Sequence, residues 1–365
     1  QGGRKTQSKQ IVFTACIGQI LKWMIVGLVS IGFGAQTIGG YASDYLDYSV
    51  GARFLAMGGT GRSIAYDASS GQWNPASLPN VSDLSLTGMS TLLLGMTKYQ
   101  QYALSMPLST IDSVAFSFRS LGIENMELHG QNGSEPNANA DGAFSTAKSA
   151  MMFSYGRKIL GNVSLGFTAK YGHRSVYKSE DSVIAFDLGG WMELGTVQLG
   201  AVVRNGYSQI IGDTDDRYEM DVDMGANWRV DRFLFCLDFG RLLRQSPTCY
   251  VGAEYGMFPP KFGLDLKIRG GTNFALNGGG EVNEWTVGVG LQTTPLLFDY
   301  ALLIRPNSQD HVFSLGLTFD DNAKKKENSL VENRYQEILA MVDEQDFVTV
   351  QQLALEARRE YPDHQ

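Results

Sequence analysis

From Asp83 to Phe319 one pattern repeats: segments in which apolar side chains recur at every second position, set apart by Gly, Asn, Asp and Pro. Successive side chains of a strand point to opposite faces, so each segment has one apolar face and one mixed face. In "YEMDVDMGANWRV" Met220, Val222, Met224, Ala226, Trp228 and Val230 alternate with Asp221, Asp223, Gly225, Asn227 and Arg229. "KFGLDLKIRG" sets Phe262, Leu264, Leu266 and Ile268 against Gly263, Asp265, Lys267 and Arg269. "EWTVGVGLQT" sets Trp285, Val287, Val289 and Leu291 against Thr286, Gly288, Gly290 and Gln292. A soluble sandwich also alternates, so the period alone does not locate the chain. The content of the faces does. One face is continuously apolar and aromatic, and the other mixes glycine with charges of both signs, including Asp187, Arg204, Asp238 and Glu254. A transmembrane barrel needs this arrangement, because lipid demands an apolar outside, closure satisfies every backbone group, and the lumen can stay polar.

The segmentation predicts an all-β chain: a transmembrane β-barrel of about fourteen antiparallel strands, the first near 83–93 and the last near 311–319. Forty-two glycines, 11% aromatic residues and only 10 prolines agree with β structure. The longest connection, Asn125 to Ala143, is expected to be an outward-facing loop. The final strand "HVFSLGLTF" alternates Phe313, Leu315, Leu317 and Phe319 up to a terminal aromatic, which resembles the signal by which outer-membrane barrels are recognised for insertion.

The flanks read differently. Arg4, Lys5 and Lys9 precede an apolar stretch from Ile11 to Ile38, and small residues follow around Gly39, Gly40, Ala42 and Ser43. Residues 1–43 are therefore expected to be a removed signal peptide, a retained membrane anchor being the competing reading. Residues 321–365 suggest two short amphipathic helices, expected on the periplasmic side, where they would offer a surface to a protein partner.

Several chemistries have no footing in the sequence. A net charge of −8 leaves no basic face for nucleic acid. Cys16, Cys236 and Cys249 form neither a zinc motif nor a disulfide framework, and the strand phases put Cys236 and Cys249 on opposite sides of the sheet. The histidines, His129, His173, His311 and His364, accompany neither GxSxG nor HExxH, so no enzyme activity and no cofactor are expected. Asp213, Asp215, Asp216, Asp221 and Asp223 lack EF-hand spacing, and no metal site is expected.

Residues 44–80, with a barrel expected over 81–320, are too irregular for strands yet carry Phe54, Leu55, Met57, Ile64, Tyr66 and Trp73. A fourteen-strand lumen is wider than side chains alone can fill, so this segment is expected to be an N-terminal plug. Gly58, Gly59 and Gly61 allow tight turns inside the wall, and Pro75 stiffens the exit towards the first strand. Its core, "GARFLAMGGTGRSIAYDASSGQWNPASL", resembles the N-terminal signature of FadL-like outer-membrane proteins, including the PorV/PorQ group. Gly51-Ala52-Arg53, Met57-Gly58-Gly59, Asp67-Ala68 and Trp73-Asn74-Pro75-Ala76 match that pattern in order. "AFDLGGWM" (Ala185 to Met192) and "LGAVVRNGY" (Leu199 to Tyr207) resemble internal strands of the same group.

The resemblance implies a bacterial outer-membrane barrel of fourteen strands whose N-terminal hatch blocks the lumen. It also implies passive transport of long-chain fatty acids or other hydrophobic compounds, with a PorV-like accessory role in protein secretion or surface attachment as the alternative. The expected partners are outer-membrane lipid and a hydrophobic small molecule. The hatch residues singled out are Arg53, Phe54, Met57, Gly58, Gly59, Asp67, Trp73, Asn74 and Pro75. Charges expected to face the lumen are Asp187, Arg204, Asp221, Asp223, Arg229, Asp265 and Lys267. Trp73 and Met57 are expected to present apolar surface to a ligand.

Overall fold

The computed structural model describes residues 44–319, except 47, 82, 129–130, 133–134, 137–141, 177–178, 213–217, 245–246, 258–263, 278–281 and 294. The expected signal peptide, Cys16, the expected helical extension, and Asp213, Asp215 and Asp216 lie outside the described residues.

Fourteen strands close into one antiparallel barrel. In chain order they are β1 (Leu84–Leu93), β2 (Thr97–Pro107), β3 (Asp112–Leu128), β4 (Gly142–Leu160), β5 (Val163–Val176), β6 (Ser179–Leu194) and β7 (Val197–Gly212). The second half comprises β8 (Asp221–Val230), β9 (Phe233–Gly240), β10 (Thr248–Gly256), β11 (Asp265–Ala275), β12 (Val282–Thr293), β13 (Leu296–Arg305) and β14 (Ser308–Phe319). Each strand pairs with its sequence neighbour, and β14 pairs with β1 from Leu84 opposite Phe319 to Thr91 opposite Val312. No strand edge of the barrel is left open, which is the condition for spanning hydrocarbon with strands.

The loop expected over 125–143 is shorter than anticipated. β3 and β4 keep pairing past Met126 opposite Phe144 to Leu128 opposite Gly142, because the backbone ladder tolerates polar side chains where the hairpin projects. A two-residue ladder between Gln131–Asn132 and Glu135–Pro136 occupies part of the remainder.

The period-two phase holds around the wall. Trp285, Val287 and Val289 are exposed while Thr286 is buried, and in β8 Trp228 is exposed while Asp221, Asp223 and Asn227 are buried. Burial of charge with exposure of Trp and Val inverts the solvent logic of a water-soluble sheet and matches an apolar surround. On that outer face Phe233 stacks on Phe235 at 5.8 Å and meets Tyr255 at 4.6 Å. Cys236 lies on the inward phase and Cys249 on the outward one, and both are free thiols, as the phases require.

The barrel's interior is filled by residues 44–81. They form a 3-10 turn (Asp44–Leu46), helix α1 (Ala52–Ala56), helix α2 (Ser70–Trp73) and a second 3-10 turn (Pro75–Asn80). Gly58 and Gly59 adopt φ of 73° and 88°, a left-handed pair that returns the chain after α1. Asn74 Oδ1 accepts from Ala76 N at 3.0 Å and starts the second 3-10 turn, where Pro75 sacrifices no needed N–H.

The glycines of the inner face now have a reason. A Cβ at Gly166 would lie 2.6 Å from Ala76 N, and one at Gly252 would lie 2.7 Å from Met57 Cβ. Gly189 and Gly271 are equally crowded, by Asn74 and Pro75 and by the Met57–Gly58 peptide. The wall is bare where the segment's backbone lies against it.

Two outcomes follow. Gly252→Val should expel the Met57–Gly58 turn while leaving the barrel closed: limited proteolysis is expected to cut within residues 51–76 while heat-modifiable gel migration persists. Val287→Arg, on the lipid face, should cost about 2–4 kcal/mol in a folding titration if it lies near the bilayer midplane. Lys267→Ala, on the inner face, should cost clearly less.

Candidate functional site

The interior segment is attached to the wall through two charge clusters and a set of single hydrogen bonds. In the first cluster Arg53, projecting from α1, forms a two-pronged pair with Glu254 of β10, Nε to Oε2 at 2.8 Å and Nη2 to Oε1 at 2.8 Å. Arg269 of β11 donates Nε to the same Glu254 Oε2 at 2.7 Å and Nη1 to Asp299 Oδ1 of β13 at 2.6 Å. Two guanidiniums thus face two carboxylates, all buried. Such a balanced set holds its geometry well and is costly to break from one side. Arg53 also lies over the Tyr66 ring at 3.8 Å.

The second cluster is built on Arg62, which donates Nε to Asp223 Oδ2 at 3.3 Å and Nη1 to Gly59 O at 2.5 Å. Arg204 of β7 reaches the same Asp223 oxygen at 2.7 Å and donates to the backbone oxygens of Gln72 and Trp73 at 3.3 and 3.2 Å. Asp238 Oδ2 accepts from the backbone N of Gly61 and of Arg62 at 2.7 and 3.0 Å. Between the clusters, Thr286 accepts from Gly58 N and donates to Ala56 O, both at 2.9 Å. Trp191 Nε1 and Asn227 Nδ2 both donate to Ser63 O, at 2.8 and 2.9 Å.

Most of the expected hatch residues take part. Phe54 packs on Trp73 with ring centres 5.4 Å apart, and Trp73 Nε1 donates to Val50 O at 3.0 Å. Asn74 Nδ2 donates to Arg62 O and Gly190 O at 2.8 and 3.0 Å. Pro75 sits against Gly156, Gly166 and Gly189. Asp67 Oδ1 accepts from the Ser69 N and Oγ at 2.9 and 2.5 Å.

The expected lumen charges divide. Asp223 and Arg204 hold the segment, whereas Asp221 pairs with Arg244 at 3.0 Å and Asp187 with Lys170 at 2.8 Å. Asp187 also accepts from Asn205 N at 2.8 Å, where β6 and β7 slip register between Phe186 and Leu188 and Asn205 takes a φ of 50°. It fixes a bulge of the wall and not the segment. Lys267 pairs with Asp265 at 3.0 Å and lies 5.6 Å from the Tyr66 ring centre. Arg229 keeps the inward phase near the strand's end, where it is exposed.

A cavity of about 90 Å3 remains beside the segment, lined by Tyr48, Trp73 and Tyr250 together with arginines, of which Arg62 lies over the Trp73 and Tyr250 rings at 5.1 and 4.3 Å. Trp73 lines it. Met57 does not, because it is fully buried against Gly252. The residues that sequence reasoning missed are Arg62 and Arg119. Arg62 follows Gly61 within the resembling stretch, where a Cβ would lie 2.5 Å from the Trp73 ring, and that crowding is invisible in one dimension.

No family model and no curated protein matches the sequence. Solved structures do match the fold. The barrel resembles the toluene transporter TbuX of Ralstonia pickettii with a TM-score of 0.56 and 11% identity, covering 76% of this chain and 100% of that one. The toluene transporter TodX of Pseudomonas putida gives a TM-score of 0.52 at 12% identity, covering 75% and 99%. The shared feature is the fold, a closed barrel like that of these two toluene transporters. At such low identity the likeness extends to architecture, and the site must be argued from this chain's own residues.

Arg53→Ala should weaken the attachment of α1 by about 3 kcal/mol, since it leaves Glu254 buried with half its pairing. Amide hydrogen exchange across residues 52–58 reads this directly, and adding Glu254→Gln should restore part of the loss. Asp67 supplies a pH dependence. Burial, reinforced by nearby Asp299 and opposed by the Ser69 contacts and Arg53, pushes its carboxyl up to about 6. A raised carboxyl contributes its stability below the ordinary value of 3.8 and loses it as pH rises through about 6. Exchange protection around Asp67 should therefore fall between pH 4 and 7, and Asp67→Asn should flatten that slope.

Proposed function

We propose that the chain is an outer-membrane channel for passive entry of hydrophobic small molecules, long-chain fatty acids among them, and that residues 51–78 are its gate. The observation that carries this reading is how the segment is held: through hydrogen bonds and ion pairs to the inner wall, from Ala52 N on Ser314 Oγ at 2.8 Å to Asn74 on Gly190 O. Such contacts can be exchanged for water or ligand and remade. The shared fold with two toluene transporters supports the same reading. So do the aromatic residues Trp73, Tyr48 and Tyr250 among the lining of the cavity beside the segment.

Deleting residues 51–76 tests it when single-channel conductance and uptake of a fluorescent fatty acid into proteoliposomes are both measured. A gate predicts raised conductance together with altered uptake. Raised conductance with unchanged uptake would reduce the segment to a static plug, and no uptake by the intact protein of either the fatty acid or toluene would remove the transport reading.

A further inference from the structure

The β1–β2 hairpin is closed by a turn that suits its own residues badly. Met96 N donates to Leu93 O at 3.1 Å, and the two residues between them, Leu94 and Gly95, have φ of 53° and 72°. Successive left-handed residues in a hairpin turn are the setting in which Asn-Gly is preferred, since a leucine side chain crowds its own backbone there. Among the described non-glycine residues with positive φ, Leu94 is the one apolar side chain; the others are Asn205, Asp231 and Arg241. The β8–β9 turn shows the ordinary solution, with Asp231 at 51°. Packing does not repay the strain at Leu94, because the residue is 61% exposed. Leu92 and Met96, on either side, are 52% and 63% exposed. A strained turn that presents three bare apolar side chains carries two costs in water, and an apolar surround removes the second.

The turn lies where the wall leaves the hydrocarbon. Leu92 keeps the outward phase of Leu84 and Leu86, so the tip continues the face that meets lipid. Thr91 Oγ1 donates to His311 O at 2.8 Å, which sets the outward-facing His311 of β14 beside the tip. There Tyr300 and His311 share a hydrogen bond between Oη and Nδ1 at 2.8 Å, with ring centres 6.1 Å apart. Rings with a polar end on the outer wall mark the level at which hydrocarbon gives way to headgroups. Lys98 lies opposite Leu92, and Ser90 lies opposite Gln100 two positions down the hairpin. A lysine beside bare leucines is the make-up of segments that lie in a membrane surface, with the stem along apolar groups and the ammonium at the phosphates. The β3–β4 hairpin projects from the same end of the barrel, and long connections belong to the outer end. Leu94 N donates to Asp310 Oδ1 at 2.8 Å, and Asp310 is paired with Arg305, so the tip is fixed to the wall.

We propose that Leu92 to Met96 anchor this hairpin in outer-leaflet lipid, with Leu92, Leu94 and Met96 among the upper acyl carbons and the Lys98 ammonium at the phosphates. Asparagine would ease the backbone at position 94 but would place an amide against acyl chains, and leucine makes the opposite exchange. The inner side of the same strand meets the plug. Leu93 packs against the apolar cluster that includes Phe54 and Trp73, and Met89 Sδ accepts from Gly51 N at 3.1 Å. One short strand therefore touches lipid at its tip and the plug along its inner face. The anchor is independent of the transport reading, since it is measured by lipid contact and not by uptake.

Fluorescence quenching tests it on the full-length protein folded into vesicles of phosphatidylcholine and phosphatidylglycerol. A fluorophore is coupled to Leu94→Cys and, for reference, to Asn307→Cys in the exposed turn between β13 and β14. The unsubstituted chain treated in the same way supplies the blank, Cys236 and Cys249 being buried. Lipid carrying a nitroxide near the headgroup should remove most of the emission from position 94. A nitroxide at the acyl end should remove less, and aqueous iodide should spare it, whereas position 307 should respond mainly to iodide. Leu94→Asn is read without a label. Because it relieves the left-handed backbone, it would raise the urea midpoint of unfolding if the tip stood in water; with the tip in lipid it should lower that midpoint. Iodide quenching at position 94 equal to that at 307 would place the tip in water, and protection from both quenchers would mean that protein covers it. Either result, or a raised midpoint for Leu94→Asn, would overturn the proposal.

Discussion

An irregular backbone enclosed by a closed sheet must find hydrogen-bond partners for its peptide groups, because the wall's own backbone is already consumed by its ladders. Residues 44–81 meet that demand from side chains. Ser314, Thr286 and Asp238 take their N–H groups, and Trp191, Asn227, Arg204 and Arg119 supply donors to their carbonyls. The rest of the interior depends on this requirement. Where a wall position must reach the segment it is polar or charged, and where the segment's backbone lies directly on the wall it is glycine, as at Gly166, Gly189 and Gly252. The mixture of glycine and charge along the inner face is therefore the complement of a peptide chain.

The barrel was legible because its signal is redundant. Period two in β8, β11 and β12 reports lipid on one side and a polar interior on the other, and each strand repeats the message of its neighbour. Strand ends were less legible where hairpins project, as at β3 and β4, since a ladder continues on backbone hydrogen bonds whatever the side chains are. The slip between β6 and β7 left no mark in the pattern. It depends on Asp187 reaching Asn205 N across the pair, and in sequence both residues read as ordinary inward polar positions.

The site was legible in part for a related reason. The stretch from Gly51 to Leu78 identified Arg53, Asp67, Trp73 and Asn74, but not which wall residue answers each. Arg53 is matched by Glu254, 201 positions away, and Arg62 by Asp223, 161 positions away. Such pairings follow from strand order and register together. Arg119 was harder still, since it lies on β3 as one inward charge among many, and only the chain folded over it shows that its partners are carbonyls.

These differences in pairing set where the segment is held hardest. Moving α1 separates Arg53 from Glu254 and leaves a carboxylate with half its partners in a buried place, so that end of the segment resists displacement. The turns at Tyr45–Tyr48 and Gln72–Trp73 are held otherwise, by neutral carbonyls that accept from Arg119 and Arg204. A guanidinium that lets go of a carbonyl can take an oxygen of water or of an entering molecule in its place, so the charge is never left bare. Displacement on the cavity side exchanges one acceptor for another, while displacement on the α1 side breaks a charge pair. The fold thus separates a clamped end from an exchangeable end within one short segment, and the cavity lies at the exchangeable one.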